Sequence, residues 1–163
     1  MAEGWVVNAS PLILLAKVGL VELVPRLTDD LVIPAGVRAE IIATGLADPA
    51  SQWLKCDGAR WVREIGELDA DVKKKDLGLG ESEVLTWARR NSSFECILDD
   101  REARTFAKVL NLRCRGSLGV VVKAKQQGLI SEAGTYIDAL IAAGYFVTPR
   151  IVREARLLAG EAG

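Results

Sequence analysis

The feature that most constrains this 163-residue sequence is a regular alternation of short apolar runs with helix-like segments. Residues 5–7, 31–33 and 96–98 are typical apolar runs, and each precedes residues that commonly start a helix or a turn. Strands that alternate with helices favour a parallel sheet with helices on both faces. Beyond about residue 131 only helical patterns remain. We therefore predict an α/β fold with a helical tail over residues 131–163.

Turn and capping residues set the predicted boundaries. Ser10 is predicted to cap the first helix, with Pro11 at its first helical position, and Thr148 to cap the last one. Residues 69–75 fit either a loop or a short exposed helix. The predicted strands are 5–7, 31–33, 61–65, 96–98 and 112–115. The predicted helices are 11–17, 21–27, 37–44, 51–56, 81–90, 101–110, 117–127, 131–143 and 149–159.

Composition excludes several classes of protein. With 50% apolar and 26% charged residues, the chain is predicted to be one globular domain over residues 1–163, not a disordered segment. A net charge of −1 is too small for a protein that coats nucleic acid by bulk electrostatics. Any nucleic acid would therefore have to bind to a local patch or through a bound metal ion.

The three cysteines are odd in number and have no C-x-x-C spacing, which argues against a disulfide framework and against a zinc site. A reducing cytoplasm fits this pattern. We expect neither a signal peptide nor a membrane-spanning segment.

The chain contains no histidine, so it lacks the usual general base and the commonest transition-metal ligand. The acidic pair Asp99 and Asp100 follows an apolar strand directly and precedes a predicted helix. In an open α/β sheet, ligands bind in the crevice outside the carboxyl ends of the strands. Any chemistry is therefore expected to use carboxylates and a hard cation.

Acidic or amide residues recur at one structural position, just after a strand or near the start of the next helix. Loops at the carboxyl ends of parallel strands converge, and clustered carboxylates repel each other unless a cation is bound. Mg²⁺ or Mn²⁺ accepts such oxygen ligands together with water and phosphate. The candidate metal ligands are Asn8, Glu40, Glu81, Glu83, Asp99 and Asp100.

The same positions also have purely structural explanations. Acids in a first helical turn are favoured by the helix dipole, an acid after a strand can cap the next helix, and an acid on an isolated helix is most often solvated. An amide can simply serve a strand-to-helix turn. The helix dipole applies to Glu81 and Glu83, and helix capping applies to Asp99 and Asp100. Solvation applies to Glu40, and the turn applies to Asn8.

Six segments together resemble a known family. VVNASPLILLAK at residues 6–17 is similar to the D-[TA]-S-P-L-I-x-L-A-K opening of PIN-like proteins. Order and spacing match over nearly the whole chain. The other matching segments are VIPAGVRAE at 32–40, GESE at 80–83, LDDREAR at 98–104, and GSLGV with AKQQGLI between 116 and 130.

This resemblance implies a three-layer α/β/α fold with a central parallel sheet, and a Mg²⁺- or Mn²⁺-dependent ribonuclease. The nearest branch resembles the VapC-type toxins of toxin–antitoxin pairs. The resemblance also leads us to expect a small antitoxin partner and a homodimer. We expect no association with a membrane.

The resemblance also assigns residues. It implies catalytic roles for Glu40, for Glu83 with Glu81 as the alternative, and for Asp100 with Asp99 as the alternative. Ser10 matches the small hydroxyl residue beside the family's first acid, and Ser117 matches a hydroxyl position near the site, so the resemblance implies that both bind substrate.

The chain departs from the family at Asn8, because the family has Asp there. One hypothesis is therefore an active nuclease, and the alternative is an impaired PIN-like module that binds RNA or an antitoxin. A phosphatase of the haloacid dehalogenase type would need D-x-D after the first strand, where this chain has Asn8 and Ser10, and a phospho-receiver would need its acidic pair there. Both are disfavoured.

Overall fold

Five parallel strands form the centre of the computed structural model, which describes residues 3–45 and 47–161. Their order across the sheet is β3-β2-β1-β4-β5. The chain thus starts at the middle of the sheet, builds one half, and returns through β4 to build the other. The strands are β1 (Gly4–Val7), β2 (Asp30–Pro34), β3 (Val62–Arg63), β4 (Phe94–Ile97) and β5 (Cys114–Arg115).

Helices connect the strands and cover the sheet. The helices are α1 (Ala9–Lys17), α2 (Ala35–Ile42), α3 (Pro49–Lys55), α4 (Ala70–Lys75), α5 (Leu79–Arg90), α6 (Arg101–Val109), α7 (Ser117–Gln126), α8 (Ala133–Ala142) and α9 (Pro149–Leu158). Two 3-10 segments, Val21–Arg26 and Asp57–Trp61, complete the connections. The architecture confirms the predicted α/β class with an all-parallel sheet flanked by helices.

The central strands are apolar on both faces, as a sheet covered on both sides requires. Val6 and Val7 in β1 and Cys96 and Ile97 in β4 are buried and lie in register as neighbours. The carboxyl ends of β1, β2 and β4 therefore lie at one edge of the sheet. This edge carries the side chains considered below.

Several predicted boundaries were wrong. The first helix begins at Ala9 with Asn8 in the cap position, so Ser10 is inside the helix and does not cap it. Pro11 is tolerated there because the first four N–H groups of a helix have no intrahelical partner anyway. Helix α5 begins at Leu79, two residues before its prediction, and Val21–Arg26 forms a 3-10 segment instead of an α-helix. Thr148 caps α9 as predicted, with its hydroxyl oxygen accepting from the Ile151 N–H at 3.4 Å.

The tail helices α8 and α9 pack against α7, and a carboxylate ties them together. The Glu161 side chain accepts hydrogen bonds from the N–H groups of Ala133 (2.6 Å) and Gly134 (2.9 Å) at the start of α8, and pairs with Lys125 at 3.1 Å. Because these N–H groups stabilise the charged form, the Glu161 pKa is lowered to about 2.

The apolar residues of the tail divide into two groups. Ile137 and Leu140 on α8 are buried, so they cover the core. Leu157 and Leu158 on α9 are both 67% exposed. No helix in the described residues is long and apolar enough to cross a membrane.

Candidate functional site

Asn8 is a deeply buried polar residue at this edge of the sheet. It follows β1 directly, it is only 3% exposed, and its backbone N–H donates to the Ile97 carbonyl at 3.1 Å. Its side chain makes no capping hydrogen bond to α1, and its Oδ1 atom is buried with no hydrogen-bond partner in the described residues. A buried polar atom left unpaired costs about 1–3 kcal/mol. The geometry therefore suits a ligand that supplies the missing partner.

Gly80, in the first turn of α5, allows other side chains to approach Asn8 closely. A Cβ atom at this position would lie 3.3 Å from Asn8 Oδ1, 3.4 Å from Glu40 Oε1 and 3.2 Å from Val37 Cγ2. Both oxygens thus face the same glycine. The glycine leaves open the space beside them.

Glu81 lies among three other carboxylates. Burial is the largest cause that raises its pKa, and the negative charges of Asp100, Glu40 and Glu102 raise it further. Glu81 is partly buried, whereas Glu40 and Asp100 are exposed. A bound dication would offset this repulsion.

Asp100 combines two roles. It caps α6, with Oδ2 accepting from the Ala103 N–H at 2.9 Å. The cap fixes the carboxylate at the end of β4, and the charge still acts on Glu81.

Glu83 points elsewhere. Its Oε1 accepts from the Gly36 N–H at 2.7 Å at the start of α2, and its side chain is only 7% exposed. Burial raises its pKa, the bond from Gly36 lowers it, and Glu64 raises it. Residues two apart on a helix do not share a face, so Glu81 rather than Glu83 lies near Glu40 and Asp100.

Asp99 belongs to a second polar network, next to Gly116. Its carboxylate accepts from the Ser117 N–H (2.8 Å) and the Ser117 hydroxyl (2.5 Å). Burial raises the Asp99 pKa, while Ser117 and the Arg104 charge lower it. Arg104 also donates to the Leu98 carbonyl at 3.0 Å.

The two serines predicted to contact substrate have different surroundings. Ser117 is fully buried and bonded to Asp99, so its hydroxyl positions that carboxylate. Ser10 is exposed on α1.

A family model described as a PIN domain matches residues 4–161. The chain belongs to the PIN-domain family. Comparisons with curated proteins and with solved structures gave no match. The family is confirmed by this match, whereas the closer similarity to VapC-type toxins stays a prediction.

The donor atoms of this PIN domain fit a hard dication bound in an open site. No three acidic, cysteine or histidine side chains among residues 3–45 and 47–161 enclose a metal position. Mg²⁺, however, commonly uses one or two carboxylates and keeps several waters. The unpaired Asn8 Oδ1 beside Glu40, with Glu81 and Asp100 nearby, offers oxygen ligands of that kind.

Two residues of the site were missed from the sequence. Neither Gly80 nor Arg104 was assigned a role from the sequence, although both lie within the segments that resemble the family. A glycine directly before an acid in the first helical turn was the available signal for close backbone approach.

Proposed function

We propose that this PIN domain is a metal-dependent ribonuclease in which Asn8 and Glu40 bind the metal ion directly, while Glu81 and Asp100 contribute negative charge beside it. The observation that carries the proposal is the buried Asn8 Oδ1, which has no hydrogen-bond partner among the described residues and shares the space at Gly80 with Glu40. Membership of the PIN-domain family supports nuclease chemistry in general.

Each residue has a distinct role in this proposal. Asn8 and Glu40 supply oxygens at the base of the crevice, and Glu81 and Asp100 supply charge at its wall. Mg²⁺ or Mn²⁺, when bound, supplies an activated water and neutralises phosphate charge. The Asn8 amide nitrogen can donate a hydrogen bond to a phosphate oxygen, which a carboxylate cannot do.

The Asp99 network holds the crevice in shape. Ser117 and Arg104 fix the Asp99 carboxylate, so the chain enters α6 with Asp100 directed to the crevice side. Asp99 and Glu83 are therefore assigned supporting roles, although the family resemblance implied catalytic ones.

Asn8 favours a second candidate, an impaired module that binds RNA or an antitoxin without cutting. An amide keeps a ligand oxygen but loses one negative charge, which weakens attraction for a dication. A toxin role, a small antitoxin partner, a homodimer and a cytoplasmic location remain part of the proposal. The exposed Leu157 and Leu158 of α9 support a protein contact.

The test compares Glu81→Gln with Glu83→Gln, a matched pair of isosteric changes on one helix. Mn²⁺ binding stabilises the native state by mass action, so the wild type should show a higher Tm in millimolar Mn²⁺. Glu81→Gln should reduce that increase, while Glu83→Gln should retain it because glutamine can still accept from the Gly36 N–H. The proposed metal site is wrong if Glu83→Gln reduces the increase in Tm and Glu81→Gln does not.

A further inference from the structure

A groove with a volume of about 500 Å³ lies beside the crevice, between α6 and the segment that joins α8 to α9. Its α6 wall carries three cations, Arg101, Arg104 and Lys108. The facing wall is largely apolar and aromatic, with Tyr145, Phe146, Val147, Thr148 and Ile151.

The cations follow helical spacing, so they form one face of α6. Positions 101, 104 and 108 differ by three and four, which places their side chains one above the other. Arg104 is engaged with the Leu98 carbonyl and Asp99, whereas Arg101 and Lys108 form no ion pair with any described residue. Asp99 is the one acid among the lining residues, and it lies beside Arg104. The groove is thus locally basic although the chain has a net charge of −1.

Phe146 is the most exposed large apolar side chain described. It is 97% exposed, so it contributes nothing to the core and leaves an aromatic face in water. An aromatic ring beside basic side chains is the arrangement that binds single-stranded nucleic acid, because bases stack on the ring and phosphates pair with the cations.

We propose that this groove binds single-stranded RNA, with phosphates at Arg101 and Lys108 and a base stacked on Phe146. The inference deepens the proposed function, on which it rests, because Arg101 follows Asp100 directly and the bound strand would continue into the acidic crevice. An unpaired strand is required because a duplex keeps its bases stacked within itself. The cationic wall also suits an acidic protein segment, which is the other outcome of the test.

The experiment measures anisotropy of a labelled single-stranded RNA of about ten nucleotides, a length within the usual site size. EDTA is present so that no metal-dependent cleavage occurs. Phe146→Ala should weaken binding by about tenfold and Phe146→Trp should retain it, because each stacked base contributes about 5- to 150-fold. Arg101→Gln and Lys108→Gln should each reduce the slope of log K against log salt by about 0.7.

The matched controls lie outside the groove. Lys55→Gln on α3 removes an exposed lysine that forms no ion pair with any described residue, and Ile141→Ala removes an exposed apolar side chain on α8. Both should bind RNA like the wild type.

Three results would overturn the inference. They are wild-type affinity in Phe146→Ala, equal affinity for a duplex of the same length, and no RNA binding by the wild type at low salt. If the wild type binds no RNA at low salt, an acidic protein segment becomes the expected occupant of the groove. Failure of the proposed function has a different signature, since RNA would then bind in the groove while Mn²⁺ neither stabilises the protein nor permits cleavage.

Discussion

Asn8 determines how this site differs from one built only of acids. Its buried Oδ1 has no hydrogen-bond partner in the described residues, and a Cβ atom on Gly80 would lie within 3.4 Å of both Asn8 Oδ1 and Glu40 Oε1. A carboxylate at this position would add a buried negative charge beside Glu40. This charge should therefore lower the stability of the protein without a cation and raise its stability when a cation is bound.

Asn8→Asp tests this reversal. Without metal, the variant should have a lower Tm than the wild type, because the added charge is buried beside like charge. Mn²⁺ should raise the Tm of the variant by more than it raises the Tm of the wild type. We expect the Kd for Mn²⁺ to fall on the order of tenfold, about 1.4 kcal/mol. Calorimetry at both conditions checks the result. Gln127→Glu, an exposed amide-to-acid change just after α7, serves as the control. Equal Mn²⁺ affinity in Asn8→Asp and wild type would exclude position 8 as a ligand.

At the scale of elements, the strands and helices were predictable where periodicity and turn chemistry agreed. Strand β1, helix α6 and the Thr148 cap follow directly from apolar runs and capping residues. The strands β3 and β5 are only two residues long, so their ends could not be placed from sequence. Local patterns do not reveal how short edge strands pair.

The choice between neighbouring acids could not be made from sequence. Glu81 and Glu83 differ by two positions, so helix rotation decides which of them lies near Asp100. Asp99 and Asp100 are adjacent, and only the position of Ser117 shows which one is bound to α7. Both choices depend on tertiary packing.

The link between α8 and the end of α9 depends on the Glu161 charge. Since the folded pKa is about 2, below the reference value of 4.5, the charged form is favoured in the folded state. The stabilisation is therefore complete above pH 4.5 and is lost as the pH falls towards 2. Glu161→Gln should be less stable than the wild type at neutral pH, and the difference should shrink through this window.

Denaturant unfolding of Glu161→Gln and wild type across that pH range measures the difference directly. Arg150→Gln, which breaks an exposed pair with Glu154 on α9, is the control and should show little effect. A stability difference that stays constant down to pH 2 would contradict the account.

At the scale of the whole molecule, the described residues form a sheet covered on both sides, with apolar side chains left exposed on α9. That the chain is one domain stays a prediction. Exposed adjacent leucines are typical of contact surfaces.

We expect a homodimer that uses this surface. Leu157→Glu together with Leu158→Glu should convert the dimer to a monomer, which sedimentation velocity would detect. Val109→Glu changes a residue on α6 that is 73% exposed, and it should leave the assembly unchanged. A wild type that sediments as a monomer across a wide concentration range would exclude the dimer.

A paired cleavage assay shows whether Asn8 is a metal ligand in a ribonuclease site. Wild type and Asn8→Asp are given the same RNA pool with Mn²⁺, with Asp100→Asn as the background. We expect weak Mn²⁺-dependent cleavage by the wild type and much stronger cleavage by Asn8→Asp, because the added charge strengthens dication binding. Rapid cleavage by the wild type that Asn8→Asp leaves unchanged would contradict this expectation.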